Sequence, residues 1–402
     1  MITISVKSSF QNPAFPLQKV AAILSIVVFT LFAMTCAAQA QLFETRAKQA
    51  MLVDVGTGSI LFSKQESEQI PPASLAKLMT MEVVFNALKT GRLTLTDEFY
   101  VSENAWRTGG APSGTSTMFA ELKSSIPLED LIRGVIVQSA NDGCIIIAEG
   151  MAGSEATFAG LMNDRARQIG LQDSIFYNST GLPHPEQKVS IRDLVTLTLH
   201  LQREYPDYYK YYSETEFTWN KIRQRNRNPL IGMDIGADGL KTGYTEASGY
   251  AIVGSIKQDG RRLVVAMSGL ESERERAEES RRMLQWGLRA FEPFTLFDKD
   301  EVVGQARLYG GAYLHVPLKT KDRVTILVPL TNRDKLKARI TYEGPIASPV
   351  KEGQEIATLN VYIGDQLAQQ APLLTAASIA KGPIHRQALD AITELAIGWI
   401  KN

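Results

Sequence analysis

The sequence has little cysteine, few histidines and no excess of charge of either sign. Its 402 residues include two cysteines, four histidines, and 43 basic against 43 acidic side chains. This even balance argues against the strongly basic surface with which proteins bind nucleic acid. Cys36 lies in an N-terminal segment that we expect to be removed, so Cys144 is left alone and an intrachain disulfide is excluded. Three isoleucines follow Cys144, which is typical of a small buried hydrophobe rather than a reactive thiol.

Residues 1–40 have the pattern of a secretory signal peptide. Lys7 and Lys19 precede an apolar run at 20–35, and Ala38-Gln39-Ala40 then offers small residues for cleavage. This run is shorter than the roughly 20 residues that a spanning helix needs. A retained membrane anchor and a lipoprotein processed at Cys36 are the alternatives. We predict export to the periplasm, with the mature chain beginning near residue 41.

The length predicts two domains, at roughly 150 residues for each. Apolar periodicity and turn residues predict the following elements: a hairpin at Val53–Phe62, a buried helix behind Pro71-Pro72, helices over 127–170 with breaks at 140–143 and 150–153, a strand hairpin around Asp259-Gly260, and a charged helix at Glu273–Phe291. Helices packed on a mainly antiparallel sheet make an α+β domain. We place this domain at residues 41–291.

The composition changes after residue 291. Short β-branched runs separated by turn residues predict a small all-β domain at 292–378, and it has no cluster of chemically active side chains. Residues 379–402 predict an amphipathic helix whose apolar face includes Trp399. The helix either docks on its own domain or lies on a membrane surface, with Trp399 at the level of the headgroups. Its polar face carries few cations, so both interpretations stay open.

Three short motifs follow one another along the chain: Ser74-Leu75-Ala76-Lys77, Ser139-Ala140-Asn141 and Lys241-Thr242-Gly243. Each pattern alone is weak, because S-x-x-K recurs at Ser348 and Ser378, S-x-N at Ser102, and K-T-G at Lys89. The predicted structural setting distinguishes the three motifs from these repeats. Ser74 opens a buried helix, where a residue three positions later shares its face. Ser139 and Asn141 lie at a predicted break between helices, and Lys241 lies where an edge strand can line a groove.

Ser74 and Lys77 have the chemistry of a nucleophile and its base. A serine hydroxyl is a poor nucleophile near neutral pH and needs an adjacent base. None of the four histidines lies in a recognisable triad motif. A lysine can serve if burial and a nearby cation lower its pKa and leave it neutral.

The order S-x-x-K, S-x-N, K-T-G resembles that of the penicillin-recognising serine enzymes. The chain more specifically resembles the low-molecular-mass penicillin-binding proteins of the D-alanyl-D-alanine carboxypeptidase family. The resemblance is strong over residues 45–290, looser through the β-rich region and terminal helix, and rests on these stretches: 53–58, 72–80, 139–142 and 238–243. It implies removal of the terminal D-alanine from peptidoglycan pentapeptides and covalent inhibition by β-lactam antibiotics. We expect neither a metal nor another cofactor.

The resemblance also implies roles for the site residues. Lys241 supplies the cation beside Lys77 and draws the substrate carboxylate, which Thr242 also binds. Ser139 relays a proton to the leaving D-alanine, and Asn141 holds Lys77 and the substrate amide. The oxyanion hole is formed by the backbone N–H groups of Ser74 and Tyr244, with Gly243 between Thr242 and Tyr244 in the strand.

Arg276 is a further candidate, because the family places an arginine after this hairpin to help bind the carboxylate. A guanidinium suits a carboxylate through its fork of donors. Other arginines nearby at 274, 281 and 282 make a solvated helix face the alternative.

Two positions depart from the family pattern. Tyr244 stands where members often have histidine, which keeps the backbone role and leaves the side chain without one. His184, in a loop between two prolines, is a tempting base, although such a histidine is more often structural.

Three other functions fit parts of the same pattern. A class A β-lactamase adds a glutamate base, for which Glu186 is the sole acid in the 181–190 loop. A D,D-endopeptidase cuts cross-links with the same motifs. A non-catalytic wall-binding protein retains the motifs only as a pocket.

Overall fold

The computed structural model describes residues 43–330, 336–385, 387, 388 and 390. The β-strands are Gln49–Asp54 (β1), Ile60–Lys64 (β2), Glu98–Tyr100 (β3), Ser125–Pro127 (β4), Glu216–Trp219 (β5), Ile222–Arg225 (β6), Ala237–Thr245 (β7), Gly249–Gln258 (β8), Arg261–Leu270 (β9), Phe291–Phe297 (β10), Val302–Tyr309 (β11), His315–Thr320 (β12), Val324–Pro329 (β13), Leu336–Thr341 (β14), Ile346–Ala347 (β15), Glu355–Ile363 (β16) and Gln366–Thr375 (β17). The α-helices are Lys77–Lys89 (α1), Glu103–Thr108 (α2), Leu128–Arg133 (α3), Asn141–Ala152 (α4), Glu155–Gln168 (α5), Ile191–Glu204 (α6), Pro206–Tyr209 (α7) and Glu273–Arg289 (α8).

A five-stranded antiparallel sheet organises the first part of the chain, in the order β2-β1-β9-β8-β7. The β8–β9 hairpin turns at Asp259-Gly260, where both residues have positive φ, as a tight two-residue turn requires. Strand β7 lies at the edge of the sheet, which confirms the edge-strand prediction for Lys241. One side of the strand that carries Lys241-Thr242-Gly243 can therefore border a groove.

Helix α1 runs through the core of this part rather than along its surface. Eleven of its residues are buried, from Lys77 to Leu88. Ser74 does not open the α-helix as predicted, because it lies in a 3₁₀ turn at Ala73–Ala76 that leads into it. Such a turn is common at helix N-termini, and it carries Ser74 just ahead of the buried helix.

The helices over 127–170 were predicted with breaks at 140–143 and 150–153, and the structure places both breaks differently. A turn of π-helix at Gly134–Gln138 continues α3 and ends at Ser139, whose φ is 65°. Asn141 already begins α4, so only Ser139 and the residue after it form the first break. The second break is Gly153 and Ser154, where the left-handed Gly153 ends α4 and Ser154 caps α5.

The second part of the chain is built from strands. A six-stranded sheet in the order β14-β16-β17-β12-β11-β15 and the β10–β13 pair share one hydrophobic core. Gln369 donates to the carbonyl of Thr57 over 2.6 Å, and the Leu327 N–H donates to Ser59 Oγ over 3.0 Å. These bonds join the strand-rich part to the turn between β1 and β2.

In the described ranges, no single helix is long and apolar enough to cross a membrane. Helices α4 and α5 would suffice together, but they bend by 84° and contribute residues to the core. The predicted signal peptide at 1–40 and most of the predicted helix at 379–402 lie outside the described residues.

Candidate active site

The nucleophile and base predicted from the sequence are in contact. Lys77 Nζ lies 3.0 Å from Ser74 Oγ and donates to the backbone carbonyl of Thr180 over 2.5 Å. Ser74 is half-buried, while Lys77 is only 1% exposed. One end of the pair is therefore accessible to a substrate, and the other is sealed in the core.

Two glycines allow the backbone to close around the turn that carries Ser74. A Cβ at Gly243 would lie 3.1 Å from the Cβ of Ala73, and a Cβ at Gly181 would collide with the Ala73 carbonyl. Gly181 also has a φ of 80°, which disfavours any side chain. The loop at 179–185 thus approaches Ala73 at a distance that only glycine permits, and the K-T-G strand packs tightly on the other side of the turn.

Burial changes the protonation of the two lysines. It lowers the pKa of Lys77 to about 8, and the positive charge of Arg227 acts in the same direction. It also lowers the pKa of Lys241 well below its ordinary value, where the charges of Lys77 and Arg227 add to the effect. Protons on both lysines at once are disfavoured, because two buried cations repel each other. A carboxylate bound near Lys241 would raise its pKa and leave Lys77 as the neutral member.

Ser139 and Asn141 present unpaired polar atoms at the start of α4. Ser139 Oγ and Asn141 Oδ1 are buried without a protein hydrogen-bond partner. Asn141 Nδ2 is fixed by Thr115 Oγ1 at 3.0 Å. Buried polar atoms normally have partners, so these two are available to a ligand.

Asp142 fixes the loop that packs beside these two residues. Its carboxylate accepts the Thr117 hydroxyl at 2.6 Å and the N–H groups of Met118, Ala120 and Gly143 at 3.0, 3.1 and 3.0 Å. The residue is fully buried. Asp142 therefore acts as a structural anchor for the wall of the site.

Two cavities meet at Ser74. One, of about 430 Å³, is polar and is lined by these residues: Ser74, Ser116, Ser139, Arg227, Thr242, Gly243, Tyr244, Tyr250, Glu273 and Arg276. The other, of about 680 Å³, runs between residues 69–74, the 180–188 loop and residues 244–247. Ser74 and Tyr244 line both. A bond held at Ser74 can therefore have one side in each cavity.

The structure brings the remaining predicted residues to the polar cavity. Thr242 and Arg276 are 6% and 7% exposed and line it. Lys241 is buried behind Thr242, with Nζ 3.2 Å from the Thr242 carbonyl oxygen. Arg276 was predicted either to bind a carboxylate or to belong to a solvated helix face. Its burial in the cavity wall excludes the second interpretation.

The repeated motifs elsewhere have structural roles. Ser102 caps α2 by accepting the Ala105 N–H at 2.9 Å, and Gly91 follows the end of α1 with a φ of 69°. Ser378 accepts the Glu352 N–H in the strand-rich part. His184 stacks on Tyr177 with ring centroids 4.1 Å apart in the larger cavity.

Comparison with known proteins identifies the family and the fold. Residues 34–271 match the family model described as D-alanyl-D-alanine carboxypeptidase, which spans more than half of the chain. The chain belongs to the D-alanyl-D-alanine carboxypeptidase family. Residues 291–381 match the penicillin-binding protein 5 C-terminal domain.

Individual relatives agree with this assignment. The chain is 36% identical to the D-alanyl-D-alanine carboxypeptidase DacC of Escherichia coli, over 88% of this chain and 90% of that protein. It superposes on penicillin-binding protein 5 of Haemophilus influenzae with a TM-score of 0.70 and 33% identity, covering 85% of this chain and 100% of the other. A D-alanyl-D-alanine endopeptidase of Escherichia coli is 28% identical over only 52% of this chain.

Membership in the carboxypeptidase family confirms the predicted enzyme class and the fold class of an α+β domain followed by an all-β domain. No cluster of three or more His, Cys, Asp or Glu side chains able to hold a metal occurs in the described part of the chain.

Sequence reasoning missed Arg227 in the candidate site. It lines the polar cavity and donates to Ser116 Oγ over 2.6 Å and to Gln138 Oε1 over 3.4 Å. Its segment, Asn226-Arg227-Asn228, belongs to none of the three motifs and follows a short surface hairpin, so spacing carried no signal.

Proposed function

We propose that this chain removes the terminal D-alanine from peptidoglycan pentapeptides through an acyl-enzyme on Ser74. The observation that carries the proposal is the contact of Ser74 Oγ with Lys77 Nζ at 3.0 Å, where burial lowers the lysine pKa to about 8. About one-tenth of the lysine is then neutral at pH 7 and can accept the serine proton.

Acylation begins when Lys77 takes the proton and Ser74 Oγ attacks the carbonyl carbon of the penultimate D-alanine. The backbone N–H groups of Ser74 and Tyr244 stabilise the oxyanion, since fixed donors need no reorganisation. The peptide C–N bond then breaks, and the amine of the leaving D-alanine receives a proton through Ser139. Lys77 is left neutral and can next activate water to hydrolyse the ester.

The polar cavity selects the leaving group. Arg276 and Thr242 line it, and Lys241 lies behind Thr242. A free terminal carboxylate there meets charged and hydroxyl donors, whereas an apolar or amidated end would leave them unpaired. The peptide part that remains on Ser74 occupies the larger cavity.

Release of D-alanine from a D-Ala-D-Ala pentapeptide tests the activity directly. A fluorescent penicillin should label the tryptic peptide that contains Ser74, and Ser74→Ala should abolish both signals without lowering the melting temperature. Label on Ser348 or Ser378 would contradict the assignment. Cleavage of cross-linked muropeptide dimers in preference to pentapeptides would favour the endopeptidase.

We also propose that the protein acts in the periplasm, after removal of residues 1–40, and is held on the outer face of the inner membrane by the helix predicted at 379–402. The composition of 1–40 and the apolar face at 388–400 support this. Deleting residues 383–402 should release the protein from membrane fractions and leave activity on soluble peptides unchanged. A full-length mature protein that is already soluble at low salt would refute the anchoring role.

A further inference from the structure

Arg276 is held in the cavity by an aromatic ring. Its Cζ lies 5.6 Å from the ring centroid of Tyr250. The Tyr250 ring packs in turn against Tyr244, with centroids 4.3 Å apart and planes tilted by 34°. The two tyrosines face each other across the β7–β8 ladder, where cross-strand side chains come closest. Tyr250 thus contacts both Arg276 and Tyr244, and all three line the polar cavity.

No acidic side chain of the described residues forms an ion pair with Arg276. Its Nε is buried and has no hydrogen-bond partner, and the residue is almost fully enclosed. Glu273 lines the same cavity one helical turn earlier without coming within ion-pair distance of this guanidinium. Buried arginines are normally paired, so this one is unusual.

The absence of an acidic partner has a chemical consequence. A carboxylate beside Arg276 would occupy its donor fork and compete with an incoming carboxylate. The face of a tyrosine ring attracts a cation through its quadrupole and leaves the in-plane N–H donors free. Tyr250 can therefore orient the guanidinium without neutralising it.

We propose that Tyr250 is a positioning residue for substrate recognition, which acts by holding Arg276 ready for the terminal carboxylate, with Tyr244 packed against the Tyr250 ring. This rests on the proposed carboxypeptidase function. It also gives the Tyr244 side chain a role in this chain, where family members often have histidine.

Paired substrates and a double-mutant cycle test the proposal. The variants are Tyr250→Leu, Tyr250→Phe, Arg276→Ala and Tyr250→Leu/Arg276→Ala. Each is assayed on a D-Ala-D-Ala peptide and on the same peptide with its terminal carboxylate methyl-esterified. Because a cross-strand tyrosine also stabilises the sheet, rates are measured below every melting temperature. They are normalised to the folded fraction titrated with saturating fluorescent penicillin.

Tyr250→Leu should lower kcat/KM for the carboxylate peptide by roughly three- to tenfold, mainly through KM, as loss of a cation–π contact implies. The esterified peptide should change less than twofold, and Tyr250→Phe, which keeps the ring, should restore the carboxylate rate. In the Arg276→Ala background, Tyr250→Leu should have no further effect.

An equal loss on both peptides, or full additivity in the double variant, would show that Tyr250 only supports the hairpin. Failure of the proposed function is a different result. The wild-type protein would then neither bind penicillin at Ser74 nor release D-alanine.

Discussion

The rate at which Ser74 is acylated should follow the titration of Lys77. With a pKa of about 8 for Lys77, about one-tenth of the lysine is neutral at pH 7 and about nine-tenths at pH 9. Acylation by penicillin should therefore rise about tenfold between these values and level off above pH 9. An ordinary lysine pKa of 10.5 would give instead a rise of about a hundredfold over the same range, with no plateau.

Stopped-flow fluorescence with a labelled penicillin measures this profile, because the antibiotic's own carboxylate stays ionised throughout. Lys241→Arg keeps a cation at position 241 at every pH and removes its titration. The bend in the pH–rate profile, which marks the pKa of Lys77, should then lie at or below pH 8, since a permanent cation lowers this pKa further. A rate that climbs without a bend beyond pH 9.5, or one that is flat from pH 6 to 9, would refute Lys77 as the base.

The same shift predicts how stability depends on pH. The folded-state pKa of Lys77 is below the unfolded-state value, so the unfolded chain binds more protons and stability rises with pH from about 8 to 10.5. Below pH 8 the full penalty is present, at about 3 kcal/mol. Lys77→Met removes it and also loses the bonds to Ser74 and Thr180, so the inactive variant should melt no lower than wild type at pH 7. A large drop in melting temperature would show that the lysine stabilises the fold.

Three further substitutions probe the walls of the site. Ser139→Ala should slow acylation by about a hundredfold or more. The melting temperature should not fall, because the Ser139 hydroxyl has no protein partner to lose. An acylation rate equal to that of the wild type would exclude a proton relay. Asp142→Ala leaves four hydrogen-bond donors without an acceptor and should lower the free energy of unfolding by about 3 kcal/mol. Asp142→Asn should lower it less, and denaturant titrations measure both variants. Glu273→Gln removes a negative charge from the polar cavity and should lower KM for a carboxylate peptide about two- to fivefold, while Glu278→Gln, which loses a surface charge paired with an arginine at 274, should leave KM unchanged.

The sequence predicts the catalytic contacts that depend on local spacing. Ser74 and Lys77 meet because they are three residues apart in helical geometry. The strand that carries Lys241 borders the groove because it lies at the sheet edge, although Thr242 lines the cavity and Lys241 is buried behind it. The break predicted at 140–143 lies instead at residues 139 and 140, because the left-handed backbone of Ser139 and the π turn before it leave no periodic trace.

Contacts that depend on distant packing could not be predicted. The Thr180 carbonyl that fixes Lys77 is 103 residues away in sequence, and any residue could supply it. Arg227 enters the cavity from a loop whose path is set by its bonds to Ser116 and to the end of the π turn. Neither contact has a residue pattern that spacing could reveal.

The buried thiol of Cys144 can be used to detect local opening of the structure around the site. It lies fully enclosed on α4, three residues after Asn141, and burial raises its pKa to about 12, so the native protein offers a reagent neither access nor thiolate. A reagent can modify Cys144 only after a local fluctuation that separates α4 from α1. The rate at which Cys144 is labelled therefore measures how often the structure around it opens. Comparing this rate in the free and the penicillin-bound protein shows how far an acyl group on Ser74 suppresses that opening.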